Sequence, residues 1–284
     1  MLPVAAVRER LKGRINPNQS QTETDQIMAA ISKQPDFPQQ VFTTCISKSQ
    51  TRVELWVEFI QSIGAQRMAE IGVYRGDFAT DVLRQCECLT AYYMIDPWRH
   101  LNDWNKPANR DDTILEEFFR ETKTKTDFAA AKRIILRGKT TEVIEQIPDG
   151  ELDLAYIDAD HTLKGIAIDL IRVFPKVRAG GFLGGDDFNR SAWEHTSIFE
   201  PTLVFPFAVY FAEAVGATIY ALPYDQFCIR KDNCAHFAFI DLTGRYDDVS
   251  LRNQFTPEKL LKLTMWERFP RLMRVVRKMR RLDH

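Results

Sequence analysis

From Ser49 onward the apolar residues of this chain fall into two alternating rhythms. In VELWVEFIQSI (53–63) they recur every three or four positions, which predicts a helix, whereas QRMAEIG (66–72) is a short apolar run that predicts a strand. The alternation continues with FATDVLRQC (78–86) as helix, TAYYMID (90–96) as strand, ILEEFFRET (114–122) as helix and AKRIILRG (131–138) as strand. TEVIEQI (141–147) and LKGIAIDLIRVFPKV (163–177) then read as helices beside the strands ELDLAYID (151–158) and GGFLGGDD (180–187). This pattern belongs to a parallel sheet wound by crossover helices, so the predicted class is α/β, a Rossmann-like doubly wound fold. After an apolar helix around 207–215, ATIYALP (217–223) and QFCIRK (226–231) flank Tyr224 and Asp225, predicting an antiparallel hairpin at one edge of a seven-stranded sheet.

The ends of the chain differ from this middle. Residues 1–48 are polar and weakly patterned, with Pro35 and Pro38 interrupting any helix, and are assigned to an N-terminal arm or cap; 49–240 form the main domain. Residues 241–284 are a basic extension. From Glu258 it carries nine Lys and Arg against Glu258, Glu267 and Asp283, leaving about −7 on the rest of a chain whose total is −1. Phe269, Leu272, Met273, Val276 and Met279 recur near helical spacing, predicting an amphipathic basic helix suited to an anionic membrane surface, a second subunit or the domain itself. The near-zero total charge gives no reason to expect nucleic acid. Five cysteines without a C-x-x-C pair argue against a disulfide framework or structural zinc, and with no apolar stretch of membrane-spanning length the expected location is the cytoplasm.

Ligands of an open parallel sheet bind outside the carboxyl ends of its strands, and those ends hold the chemistry here. The first predicted strand runs into EIGVYRG, where Gly72 and Gly76 bracket a tight turn around Tyr74. A strand-to-helix turn needs glycine with or without a ligand, so this motif alone decides little. The second strand ends in Asp96, where a nucleotide-binding sheet places an acid for ribose hydroxyls, followed by Trp98. The third leads into RGKTTE, with Lys139 and Thr140.

Taken in order and spacing, EIGVYRG, MIDPW, RGKTTE, YIDADH and GGDDF resemble the class I S-adenosylmethionine-dependent O-methyltransferases, in particular the metal-dependent sugar, macrolide (macrocin-type) and catechol branches. The resemblance spans roughly residues 49–231 and leaves both ends of the chain unexplained. It implies that Glu70 and Gly72 lie against the methionine part of the cofactor, that Asp96 holds the ribose, and that Lys139 and Thr140 border the adenine. Tyr74, Gly76, Trp98 and Asp158 complete the implied cofactor set.

Asp158 closes one strand and Asp186 with Asp187 the next, so three carboxylates are expected in one crevice. Two like charges about 4 Å apart repel by about 4 kcal/mol at an effective dielectric of about 20, so a positive group must sit among them. A hard divalent cation, Mg²⁺ or Mn²⁺, meets that need with oxygen ligands. In the resembling families the corresponding acids bind such a metal, and Asp187 stands where the catechol branch has asparagine, which favours the sugar and macrolide side. His161 occupies the place of the catechol branch's lysine and is the first candidate for general base, a histidine being matched to neutral pH; Asp160 is the second. The expected activity is metal-dependent O-methylation of a sugar hydroxyl or glycosylated small molecule, the acceptor being polyhydroxylated. A catechol or phenolic methyltransferase, or a non-catalytic nucleotide-binding module of the same fold, are the alternatives.

Overall fold

The structure is a computed structural model that describes residues 37–195, 198–232 and 236–246, together with 257, 258 and 261. Most of the polar N-terminal arm and the basic C-terminal segment lie outside the described residues.

Residues 37–48, which the sequence pattern assigns to the arm, instead form helix α1 (Phe37–Lys48) and belong to the domain. Pro38 does not interrupt it, because it stands in the first turn, where a missing N–H costs nothing. Phe42 and Cys45, on one face of α1, are fully buried, and Phe42 stacks on Phe59 of α2 (Arg52–Ile63) at 4.3 Å. The Thr51 side chain caps α2 by accepting the Glu54 N–H, and Gly64 ends it in the left-handed region.

Strands β1 (Arg67–Ile71), β2 (Ala91–Asp96), β3 (Arg133–Arg137), β4 (Leu152–Ile157) and β5 (Val177–Gly185) pair in parallel in the order β3-β2-β1-β4-β5. Their connections are α3 (Asp77–Gln85), α4 (Asp112–Lys125), the short α5 (Thr140–Val143) and α6 (Leu163–Val173). Beyond β5, α7 (Val204–Ala214) leads to the hairpin of β6 (Thr218–Leu222) and β7 (Gln226–Arg230), with β7 inserted antiparallel beside β5. The sheet has eight strands rather than the seven read from the pattern. β8 (Ala238–Asp241) adds parallel to β6, and its four half-buried residues are too few to show a period. The domain also continues past residue 240, since Tyr246 is buried against Phe188 and its hydroxyl donates to the Phe188 carbonyl.

Each strand divides its residues between two cores. Along β4, Leu154 and Tyr156 pack with Trp56, Phe59 and Phe182 on the α1–α2–α3 side, while Ala155 and Ile157 pack with Ile166, Leu170 and Phe188 on the other. A sheet covered on both faces explains the near-continuous apolar strands. Among the described residues Cys45, Cys86, Cys88 and Cys228 are free thiols, and no helix is long and apolar enough to cross a membrane.

One buried amide ties this core to the strand ends. Gln226, fully buried, accepts hydrogen bonds from Trp56 Nε1 (2.8 Å) and the Tyr156 hydroxyl (3.0 Å), and donates to Asp186 and to the Tyr224 carbonyl. Gln226→Leu strands two buried donors, each costing about 1–3 kcal/mol. The variant is expected to lose roughly 2–4 kcal/mol of stability in denaturant titration, with no change in the slope of the transition.

Candidate active site

The strand order reverses between β1 and β4, and at that point a cavity of about 410 Å³ opens at the carboxyl ends of the strands. It brings together Glu70, Gly72, Tyr74, Asp96, Trp98, Lys139, Thr140, Asp158, Asp160 and His161. Gly76, Asp186 and Asp187 do not line it. Gly76 opens α3 at φ 72°, and the two aspartates follow β5 beside the cavity.

Asp96 pins the first turn. Its carboxylate accepts the backbone N–H groups of Val73 (3.0 Å) and Tyr74 (2.8 Å) through one oxygen and that of Trp98 (2.7 Å) through the other. Trp98 returns the link, its indole donating to the Tyr74 carbonyl at 2.7 Å. Glu70 is almost wholly buried under this turn, where it accepts from the Tyr92 hydroxyl, and burial pushes its pKa well above the carboxylate range. Tyr74 (φ 52°), Trp98 (φ 41°) and Asp187 (φ 56°) all hold a left-handed backbone without being glycine, a strained conformation at three strand ends.

At the far side of the cavity, Thr140 donates to Asp169 Oδ1 at 2.6 Å. Burial pushes the Asp169 carboxyl up to about 7, against the pull of Thr140. The sequence reading passes over Asp169, although an acid on the apolar stripe of LKGIAIDLI is a visible signal. Asp160 is fixed by the Trp104 indole and the Thr162 N–H, both donating to its Oδ1 at 3.0 Å, and it lies so close to Gly165 that a Cβ there would stand 2.0 Å from its carboxyl carbon.

The three acids do not converge on one point. Asp158 and Asp187 flank His161: Nδ1 pairs with Asp187, and Nε2 lies 3.4 Å from Asp158 Oδ1 without hydrogen-bonding geometry, leaving that nitrogen buried and unpartnered. Asp186 turns away to Gln226 and to Arg52. The Arg52 guanidinium also reaches Asp158 Oδ2 at 3.0 Å, so it bridges two of the acids. Sequence reasoning missed Arg52, the first residue of α2, because nothing in its local pattern points to a group 106 positions away.

Burial works against charge on both Asp158 and His161, and their partners outweigh it. His161 and Arg52 hold Asp158 below the usual carboxylate value, and the two carboxylates raise His161 to about 10. A histidine poised at neutral pH, as expected from its type alone, is therefore replaced by an imidazolium.

Two loops meet beside the cavity. Asn105 donates to the Ile198 carbonyl, and buried Lys106 donates to Thr202, whose hydroxyl donates to Glu194. The Leu203 N–H returns to the His161 carbonyl, tying these loops to the site.

Residues 69–188, the stretch that runs from within β1 to just past β5 and carries Glu70, Asp96, Asp158, Asp160, Asp169, Asp186 and Asp187, match the family described as a methyltransferase domain. Over this stretch the chain is similar to that family. The match includes Glu70 and ends at Phe188, directly after Asp187, whereas Arg52 lies outside it. No curated protein matches the chain. Solved structures are similar to the chain at low identity. A proposed caffeoyl-CoA O-methyltransferase from Staphylococcus aureus is 15% identical, with 75% of this chain and 93% of that one covered and a TM-score of 0.49. An O-methyltransferase from Bacillus cereus in complex with SAH is also 15% identical, covering 79% and 96% with a TM-score of 0.46. The O-methyltransferase NovP is 17% identical, covering 62% and 76% with a TM-score of 0.47.

Proposed function

We propose that this protein transfers the methyl group of S-adenosylmethionine to a hydroxyl of a small polyhydroxylated acceptor, a sugar or glycosylated compound, with a divalent cation at Asp158, His161 and Asp187. The observation that carries the reading is the junction, inside the stretch similar to a methyltransferase domain, of the cavity lined by Glu70, Gly72, Asp96, Lys139 and Thr140 with that Asp–His–Asp cluster.

The cluster fits a cation. One donor atom from each of Asp158, His161 and Asp187 lies within 4.8 Å of the others, and the unpartnered Nε2 of His161 is among the candidate ligands. A nitrogen in the set favours Mn²⁺ over Mg²⁺, which prefers an all-oxygen shell. When bound, the cation supplies a Lewis acid that makes a hydroxyl more acidic, and the cofactor supplies the sulfonium methyl. The protein does the remainder. Asp96 and Trp98 hold the first turn open to the cofactor, and Trp104 and the two loops beside the cavity exclude water from the acceptor. With His161 among the ligands and its Nδ1 on Asp187, neither ring nitrogen is left for the hydroxyl proton. Asp160, whose second carboxylate oxygen is unencumbered by Trp104 and Thr162, takes that proton as the acceptor oxygen attacks.

The test is a screen of glycosylated and catecholic acceptors with methyl-labelled cofactor, with and without a chelator. Label transfer to a sugar hydroxyl that disappears on chelation, while calorimetric binding of S-adenosylhomocysteine persists, is the expected result. Transfer indifferent to chelation removes the metal from the reading, and failure to bind the cofactor removes the reading itself.

A further inference from the structure

The acids that would hold a divalent cation already have cations beside them, of two different kinds. His161 can give up its proton. Arg52 cannot, since a guanidinium stays charged throughout the working pH range. Asp158 has one oxygen facing His161 Nε2 at 3.4 Å and the other on Arg52 Nη1 at 3.0 Å, and the same nitrogen of Arg52 pairs with Asp186. Both sides of this carboxylate are thus engaged, and a divalent ion arriving at Asp158 meets a fixed positive charge a few ångströms away.

We propose that Arg52 is a resident cation that competes with the divalent ion for Asp158, and thereby sets how tightly this protein holds its metal. The inference rests on the cation reading above. Arg52 is built for leaving. It stands in the first turn of α2, directly after the Thr51 cap, and its side chain is 37% exposed at the cavity wall. The rest of α2 is held by Leu55, Trp56, Phe59 and Ile60, all fully buried, so the guanidinium swings out without the helix moving. Asp186 serves as its second anchor. This explains why the aspartate after β5 faces Arg52 and Gln226 rather than joining the Asp158–His161–Asp187 set. When Arg52 lies on Asp158, the charge of the acidic cluster is neutralised from within. When it leaves, the cluster regains the negative charge that attracts a metal.

The test is Mn²⁺ binding by calorimetry to the full chain, comparing the wild type with Arg52→Gln and Arg52→Lys, with S-adenosylhomocysteine binding and thermal melting measured on each preparation. Removing the competing charge is expected to tighten Mn²⁺ binding at least tenfold in Arg52→Gln. Arg52→Lys should fall between, because the charge is kept on a shorter side chain that approaches the two carboxylates less closely. Equal or weaker Mn²⁺ binding by a variant that melts normally and binds S-adenosylhomocysteine overturns the competition and leaves the metal reading standing. If no preparation binds Mn²⁺ while all bind S-adenosylhomocysteine, the metal reading and this inference fall together and the methyltransferase reading survives. Should Arg52→Gln fail to fold, the comparison of Arg52→Lys with the wild type decides in the same way.

Discussion

His161→Ala is expected to lower single-turnover methyl transfer by about 10²-fold or more, because it removes one of the three candidate ligands of a cation worth several kcal/mol to the transition state. Cofactor binding should change little, because Asp96, Lys139 and Thr140, the residues proposed to hold the cofactor, keep their own partners. The same variant also tests the charge assigned to the imidazole. In the metal-free protein Asp158 and Asp187 raise its pKa from 6.5 to about 10 against the opposing effect of burial. A folded-state pKa above the unfolded one means that the stability gained from the imidazolium is fully present below about 6.5 and is lost as the pH rises through about 10. The difference in melting temperature between wild type and His161→Ala should therefore narrow over that window. If His161→Ala turns over normally, His161 is neither ligand nor proton acceptor, and if Asp160→Asn turns over normally, Asp160 is not the proton acceptor.

Gly72→Ala should be as damaging, for a steric reason. Gly72 has φ +89°, and a Cβ on it would lie 2.0 Å from the carbonyl oxygen of Asp158 and 2.5 Å from its carbonyl carbon. Neither obstacle is a flexible side chain, so β1 and β4 must part at their tips. The expected cost is about 3 kcal/mol or more, which for a domain of this size is roughly 6–12 °C in Tm. Loss of S-adenosylhomocysteine binding should accompany it, because the same displacement moves Asp158 and opens the turn pinned by Asp96. A variant that melts and binds like the wild type would mean that this close approach is absent in solution.

The two predictions rest on residues of different legibility. Gly72, Asp96, Asp158, Asp186 and Asp187 stand out in the sequence because each follows an apolar run, and strand ends are where a parallel sheet presents its chemistry. What the pattern cannot show is which carboxylate meets which cation. Arg52 reaches Asp158 only through the packing of α2 on the sheet, and Asp186 is drawn away by Gln226, a polar residue inside an apolar strand. The protonation of His161 is equally hidden, since it depends on Asp187, which comes from a different strand. At the margins, α1 escaped notice because its buried contacts are few among polar neighbours, and β8 because it is only four residues long.

The left-handed backbones of Tyr74, Trp98 and Asp187 set a limit on how this protein can be improved. Each conformation costs of order 1–3 kcal/mol, and glycine would relieve most of it. Glycine would also delete the ring that packs edge-on against Phe118, the indole that locks the first turn, or the carboxylate beside His161. At Trp98 the burial of the indole outweighs the strain, but at Tyr74 and Asp187 selection for a higher melting temperature and selection for catalysis pull toward different residues. A library screened for thermal robustness alone would drift toward glycine there and lose the site.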